Sequence, residues 1–223
     1  MEMDLLLVIQ DIKNKVVKFY DGKKRDKFNA QIDLIVKEYS AIEIPEKHKD
    51  TYTSLVVKGK ELLKESNIKN EKKVSFYLRY CEAALYDFKD NVKPLNLIMK
   101  SFLLTCTLFF VLAPMYFSFI LPLIFVLPIF LGLRGMKKRV LNGLMMGISI
   151  VPMGILVAVV WLRNAYLTMG TFDVFVNGIA QQYKLSFELT KNLAVACIIL
   201  SVVLIGSSLT LFVSSIKYRK MFI

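Results

Sequence analysis

Along residues 1–93 apolar positions recur every three or four residues, whereas the remainder runs through long apolar stretches separated by short basic clusters. The first pattern is that of helices with one buried face. Leu5, Val8, Ile12, Val16 and Phe19 share one face of a predicted first helix, which Asp21 and Gly22 end. A second begins at the basic run KKRDK and carries Phe28, Ile32, Ile35 and Tyr39. After the Pro45 loop a third holds Tyr52, Leu55, Val56, Leu62 and Leu63. Beyond the polar turn SNIKNE, a fourth holds Val74, Leu78, Cys81, Leu85, Phe88 and Val92. No stretch alternates polar and apolar residues as a strand would. The stretch FYLRYCEAALYDF has the small-and-aromatic look of a helix-hairpin repeat, but one copy without a period points to a plain four-helix bundle.

The second pattern predicts membrane crossings. Residues 141–162 and 193–215 are uncharged, mainly apolar runs of about 22 residues, enough for a hydrocarbon core of about 30 Å. Residues 101–133 are also uncharged and contain Pro114, Pro122 and Pro128. That run is too long for one straight helix, and a hairpin of two short helices turning near 114–118 fits it. Cations decide the matter, because they gather at the cytoplasmic ends of short loops. With two crossings, Lys93, Lys100, the cluster RGMKKR and the tail Lys217 to Lys220 share one side, and the weakly charged loop 163–191 takes the other. The expected spans are therefore about 97–114, 118–134, 141–162 and 193–215, and a re-entrant hairpin would keep the same sidedness. Prolines free backbone carbonyls that lipid cannot satisfy, so Pro114, Pro122, Pro128 and Pro152 call for surrounding protein or water.

Composition sharpens this division. The 223 residues are 55% hydrophobic and carry a formal net charge of +12. Residues 97–223 contain only two acids, Asp173 and Glu188, so the basic excess sits at the ends of apolar runs. This placement favours membrane topology over nucleic-acid binding. Cys81, Cys106 and Cys197 are odd in number and widely spaced, which suits small core residues better than a disulfide frame or metal set. The N-terminus has acids where an export signal carries cations. The expectation is an all-α, polytopic helical membrane protein with a cytosolic four-helix bundle at 1–93 and a transmembrane domain at 94–223. It would sit in the cell membrane with both termini cytoplasmic.

Candidate chemistry is sparse. No phosphate loop, HExxH or Cys-x-x-Cys occurs, and the hydroxyls of the spans have no nearby His or Lys to activate them. No catalytic, cofactor-binding or metal-binding residue is therefore expected, and no ionisable group is expected inside a span. His48 lies between Lys47 and Lys49 and reads as solvent-facing. Gly143 and Gly147 form a GxxxG continued by Gly154 and Ala158, a spacing that lets helices approach closely. Ala194, Cys197, Ser201, Leu204, Ser208, Leu211 and Ser215 make a seam of mostly small residues, suited to packing or to a wet path. In the outer loop, Phe172, Val176, Ile179, Tyr183 and Phe187 form an apolar stripe, with Asn177 and Gly178 expected at a turn that could dip toward a pore. Lys23, Lys24, Arg25, Lys137, Lys138 and Arg139 are candidate lipid-headgroup contacts. The expected function is an oligomeric channel or transport component favouring anions, its partners the bilayer and copies of itself. The alternatives are a membrane-anchored adaptor whose residues 1–93 bind a cytosolic protein and, more remotely, an insertion factor. Nucleic acid and enzymatic activity are not expected.

Overall fold

The computed structural model describes residues 2–223, which are 87% helical with no strand. The fold is therefore all-α. The chain forms two compact units, one running up to Lys93 and including Arg219–Ile223, the other covering Pro94–Tyr218.

In the first unit, α1 (Glu2–Phe19), α2 (Gly22–Ser40), α3 (Lys49–Leu62), α4 (Glu65–Ile68) and α5 (Glu71–Phe88) enclose one core. The stripes read from the sequence fill it: Ile12 and Val16 from α1, Ile32 and Ile35 from α2, Leu55 from α3, and Val74, Leu78 and Cys81 from α5. Phe19 is only half-buried, and Ile9 is fully buried. Buried phenols tie the helices together. The hydroxyls of Tyr20 and Tyr39 donate to the carbonyls of Ile68 and Cys81, each at 2.9 Å, and that of Tyr77 donates to Leu55 at 3.2 Å. Tyr52 accepts from the Leu5 amide at 3.1 Å, satisfying one of the orphan donors at the start of α1. Helix α3 comes close because Gly59 has no side chain, since a Cβ there would lie 2.5 Å from both the Tyr77 oxygen and a Val8 methyl.

Three expectations need correction here. The turn SNIKNE overlaps α4, which buries Ile68. Helix α5 stops at Phe88, and Asp90 turns the chain at φ 53°, so Val92 lies outside the helix and is exposed. His48 is not solvent-facing, because its ring is half-buried and packs edge-on to Phe88 with centroids 6.0 Å apart.

The second unit contains α6 (Lys93–Leu112), the short α7 (Pro114–Phe117), α8 (Ile120–Lys137), α9 (Leu141–Ile148), α10 (Ile150–Leu167), α11 (Phe172–Tyr183) and α12 (Phe187–Lys217). Four helical segments are long and apolar enough to cross a membrane: α6, α8, the continuous pair α9–α10, and α12. Pro114 and Pro122 flank the turn between α6 and α8, where Ser118 has φ 58°. Pro128 lies inside α8, and Pro152 follows the one-residue break between α9 and α10 at Ser149. Pro114 and Pro122 lie in the first turn of their helices, whereas Pro128 removes an N–H that the ladder of α8 would use. Where α6 ends, the Trp161 indole donates to the Leu112 carbonyl at 3.0 Å. One terminal carbonyl thus finds a partner inside the protein, as lipid surroundings would require.

The helices overrun the expected span limits. Lys100, already inside the expected span 97–114, lies about two turns into α6, which starts at Lys93, against the expectation of no ionisable group in a span. The loop 163–191 also turns out to be largely helical, with α11 in its middle.

The last residues of the chain close back on the first unit. The turn Arg219–Met221 packs on α5, Lys220 reaches Glu82 at 2.9 Å, and Met221 and Phe222 are fully buried. The tail and the N-terminal helices therefore occupy the same side of any membrane that unit 2 crosses, which requires an even number of crossings between Lys93 and Arg219. The four candidate helices satisfy this parity. Single cysteines at Lys23 and Ile223, in a chain with Cys81, Cys106 and Cys197 changed to alanine, are expected to react with an impermeant maleimide from the same face. A cysteine at Met169 should react only from the other face. Labelling of Met169 and Lys23 from one side would exclude the four-crossing topology.

Candidate functional site

Glycines bring α8 and α9 together. A Cβ on Gly135 would lie 2.4 Å from the Gly143 Cα, and one on Gly132 would come within 2.9 Å of the Gly147 Cα. The turn between the two helices uses Arg139 at φ 53°, with the Val140 amide bonded to the Gly135 carbonyl at 2.9 Å, a left-handed helix stop. Gly143 and Gly147 are thus packing residues within this helical hairpin. Their partners, Gly132 and Gly135, escape a search for GxxxG, although their three-residue spacing on the preceding helix is the signal that marks them.

The serine seam of α12 is also internal. Ser201, Leu204, Ser208, Leu211 and Ser215 are buried, and the Ser208 hydroxyl lies where a side chain on Gly154 of α10 would go, 2.9 Å from the position of the missing Cβ. Ser201 donates to the Cys197 carbonyl at 2.7 Å, and Thr105 of α6 donates to Ser207 at 3.0 Å. The Ser208 and Ser215 oxygens have no hydrogen-bond partner among the described residues. Asn177 and Gly178 are exposed in the middle of α11, not at a turn. Helix α11 packs against α12 and buries Val176 and Ala180.

Of the expected headgroup contacts, Lys24 pairs with Glu71 at 2.6 Å and Arg25 sits beside Asp26, while Lys23 is exposed. Lys137 and Lys138 are exposed at the end of α8, and Arg139 shapes the turn that follows.

Two concave features of the first unit are lined by charge. A cleft of about 310 Å³ lies between α2, α5 and the tail, flanked by the pairs Glu38–Lys89 and Glu82–Lys220. Lys89 holds the Glu38 carboxyl below its ordinary range, by hydrogen bond and by charge. The larger feature is an open groove along α3 and the first half of α5. Its walls carry Lys58, Lys69, Lys72, Lys73 and Arg79 against Glu61 and Glu71, and Phe76 stands half exposed among them. Asn70 caps α5 at the groove by accepting from the Lys72 and Lys73 amides, so the positive end of the helix dipole adds to the side-chain charge. Lys58 lies 4.0 Å from the centre of the Tyr80 ring. Burial pushes the Cys81 thiol up to about 12, which leaves it a core group and not a nucleophile. No cluster of metal ligands occurs among the described residues.

Comparison with family models, with curated proteins and with solved structures gives no match.

The glycine contacts give a sharp expectation. Gly135→Val would drive a side chain into the Gly143 backbone and should cost about 2 kcal/mol or more, read as a lower midpoint in thermal unfolding of the detergent-solubilised protein. Gly178→Ala meets open space on α11 and should raise stability by up to about 1 kcal/mol. Equal tolerance at both positions would remove the packing role of Gly135.

Proposed function

We propose that the protein is an integral membrane adaptor. Four helices hold it in the cell membrane with both chain ends in the cytoplasm, and the first unit docks an acidic segment of a cytosolic partner along α3 and α5. The basic groove carries this reading: Lys58, Lys72, Lys73 and Arg79, with Lys69 paired to Glu65 at 2.6 Å, face Glu61 and Glu71 around a half-exposed Phe76, at the positive end of α5. An acidic strand or helix bearing one apolar side chain meets both the charge and the ring. The return of the tail supports it further. The first unit is joined to the spans at two points, so a load on it reaches both α6 and α12.

An oligomeric channel, favouring anions at its cationic mouth, is the second reading, and α8 is the observation that favours it. Only 17% of its apolar window is buried, and Pro128 leaves the Ile124 carbonyl without its helical donor on a residue 64% exposed. A neighbouring copy could cover that face. Against a pore, the hydroxyls suited to line one are taken up in packing between α10 and α12.

Full-length protein in nanodiscs should bind a fluorescent Glu-rich peptide carrying a single Leu, with affinity falling steeply as salt rises. Lys72→Glu and Phe76→Asp, both at positions open to solvent, are each expected to weaken binding about tenfold with the melting temperature unchanged. Dose-dependent K⁺ or Cl⁻ flux in liposomes, together with no peptide binding, would put the channel in the adaptor's place.

A further inference from the structure

Lys100 has no counter-ion. It is exposed on α6 and makes no ion pair or hydrogen bond with any described residue. Unit 2 contains only two carboxylates, Asp173 on α11 and Glu188 in the first turn of α12, and Asp173 already pairs with Lys191 at 3.2 Å. Glu188 lies about 30 Å along α12 from the level of Lys100, so neither acid can answer its charge.

Helix length fixes how deep this cation sits. Beyond Lys100, α6 continues only to Leu112, about 18 Å, well short of a hydrocarbon core of about 30 Å. For α6 to reach across, Lys100 must lie about 10 Å inside the point where the helix starts at Lys93. A lysine at that depth either extends toward the headgroups or brings an anion inward.

The surroundings offer room for an anion. A cleft of about 360 Å³ opens sideways between α6 and α12, lined by Lys100, Ser101, Leu104, Gly206, Ser207 and Thr210. The Ser101 hydroxyl, on a buried residue, makes no hydrogen bond within the described residues and lines the same cleft as Lys100. Ser207 and Thr210 spend their protons on the Leu204 and Gly206 carbonyls, at 3.1 and 2.8 Å, which keeps those backbone groups paired next to the opening. Gly206 has nothing within 4 Å of the position of its missing Cβ. It therefore serves no close helix contact in this chain, and its lack of a side chain keeps the cleft open. Leu104 and Val203 are exposed at the same place and present an apolar wall.

We propose that this cleft is a binding site for one anionic phospholipid of the leaflet on the tail side. The phosphate lies against Lys100 and the Ser101 hydroxyl, and the acyl chains run along Leu104 and Val203. This inference rests on the membrane placement of unit 2, which the maleimide labelling of Met169 tests separately.

The experiment is native mass spectrometry of the full-length, delipidated protein, offered phosphatidylglycerol or phosphatidylcholine with the same acyl chains. The wild type should retain one phosphatidylglycerol per chain with about fivefold preference. Lys100→Gln should abolish the preference. Gly206→Leu, which fills the cleft and leaves the charge in place, should abolish it as well, while Arg134→Gln at the exposed end of α8 should leave it intact. Helical content and a monodisperse elution profile establish that each variant is folded. The site is overturned if the wild type shows no preference, if either cleft variant keeps it, or if Arg134→Gln loses it too.

Discussion

The contact between the last five residues and α5 constrains everything between them. A chain that leaves a folded unit at Lys93 and closes back on it at Arg219 can cross a bilayer only an even number of times. The constraint comes from packing, not from hydropathy. Met221 and Phe222 are fully buried, and Lys220 reaches a Glu82 side chain that is only 10% exposed. The two helices formed by the stretch from 101 to 133 keep that count even. One bent helix would leave an odd count and strand the tail across the membrane from its binding surface.

A lipid environment would make two demands of the second unit together. Each backbone carbonyl needs a donor, and each helix needs a close neighbour without help from water. Prolines breach the first demand near the α6–α8 turn, and the chain's one tryptophan answers part of it by donating to Leu112. Glycines meet the second, placed backbone to backbone between α8 and α9 and against Ser208 between α10 and α12. The small residues are thereby used up in holding one chain together. That is the physical reason the GxxxG pattern and the serine seam lend less support to an assembly or a wet path than their spacing suggests.

Much of this is legible in the sequence because burial imposes periodicity. The stripes of Ile12, Ile32, Leu78 and their neighbours have to face a common core, and the uncharged runs have to be helices of crossing length. Features without a period are not legible. Met221 and Phe222 are two apolar residues at the end of a basic tail, too few to form a pattern, yet they close the unit. Asn177 and Gly178 look like a turn because both residue types favour turns, but the apolar residues around them hold α11 continuous against α12. Lys100 reads as the edge of a run, since counting apolar residues stops at a charge. The helix does not stop there, because lysine is a good helix former and its charge can stay at the rim of a cleft. In the candidate grooves, the individual lysines are visible in the sequence. Which of them share a surface depends on how α3 meets α5, and Gly59 sets that meeting through its absent side chain.

The distribution of charge in the second unit then has a consequence that packing alone does not supply. Its two acids are confined to α11 and the start of α12, while Lys100, Arg134, Lys137, Lys138 and Lys217 lie toward the other end of the four helices. Cations so arranged repel one another and have no carboxylate of their own unit at that end. Water and salt can answer the exposed cluster at the α8–α9 turn, where screening acts over about 10 Å. With α6 crossing a membrane, dissolved ions would reach Lys100 less easily, and the phosphate of a lipid is the anion that a membrane would bring to that level. Under the proposed topology, the surrounding lipid would supply the negative charge that the second unit lacks at that end.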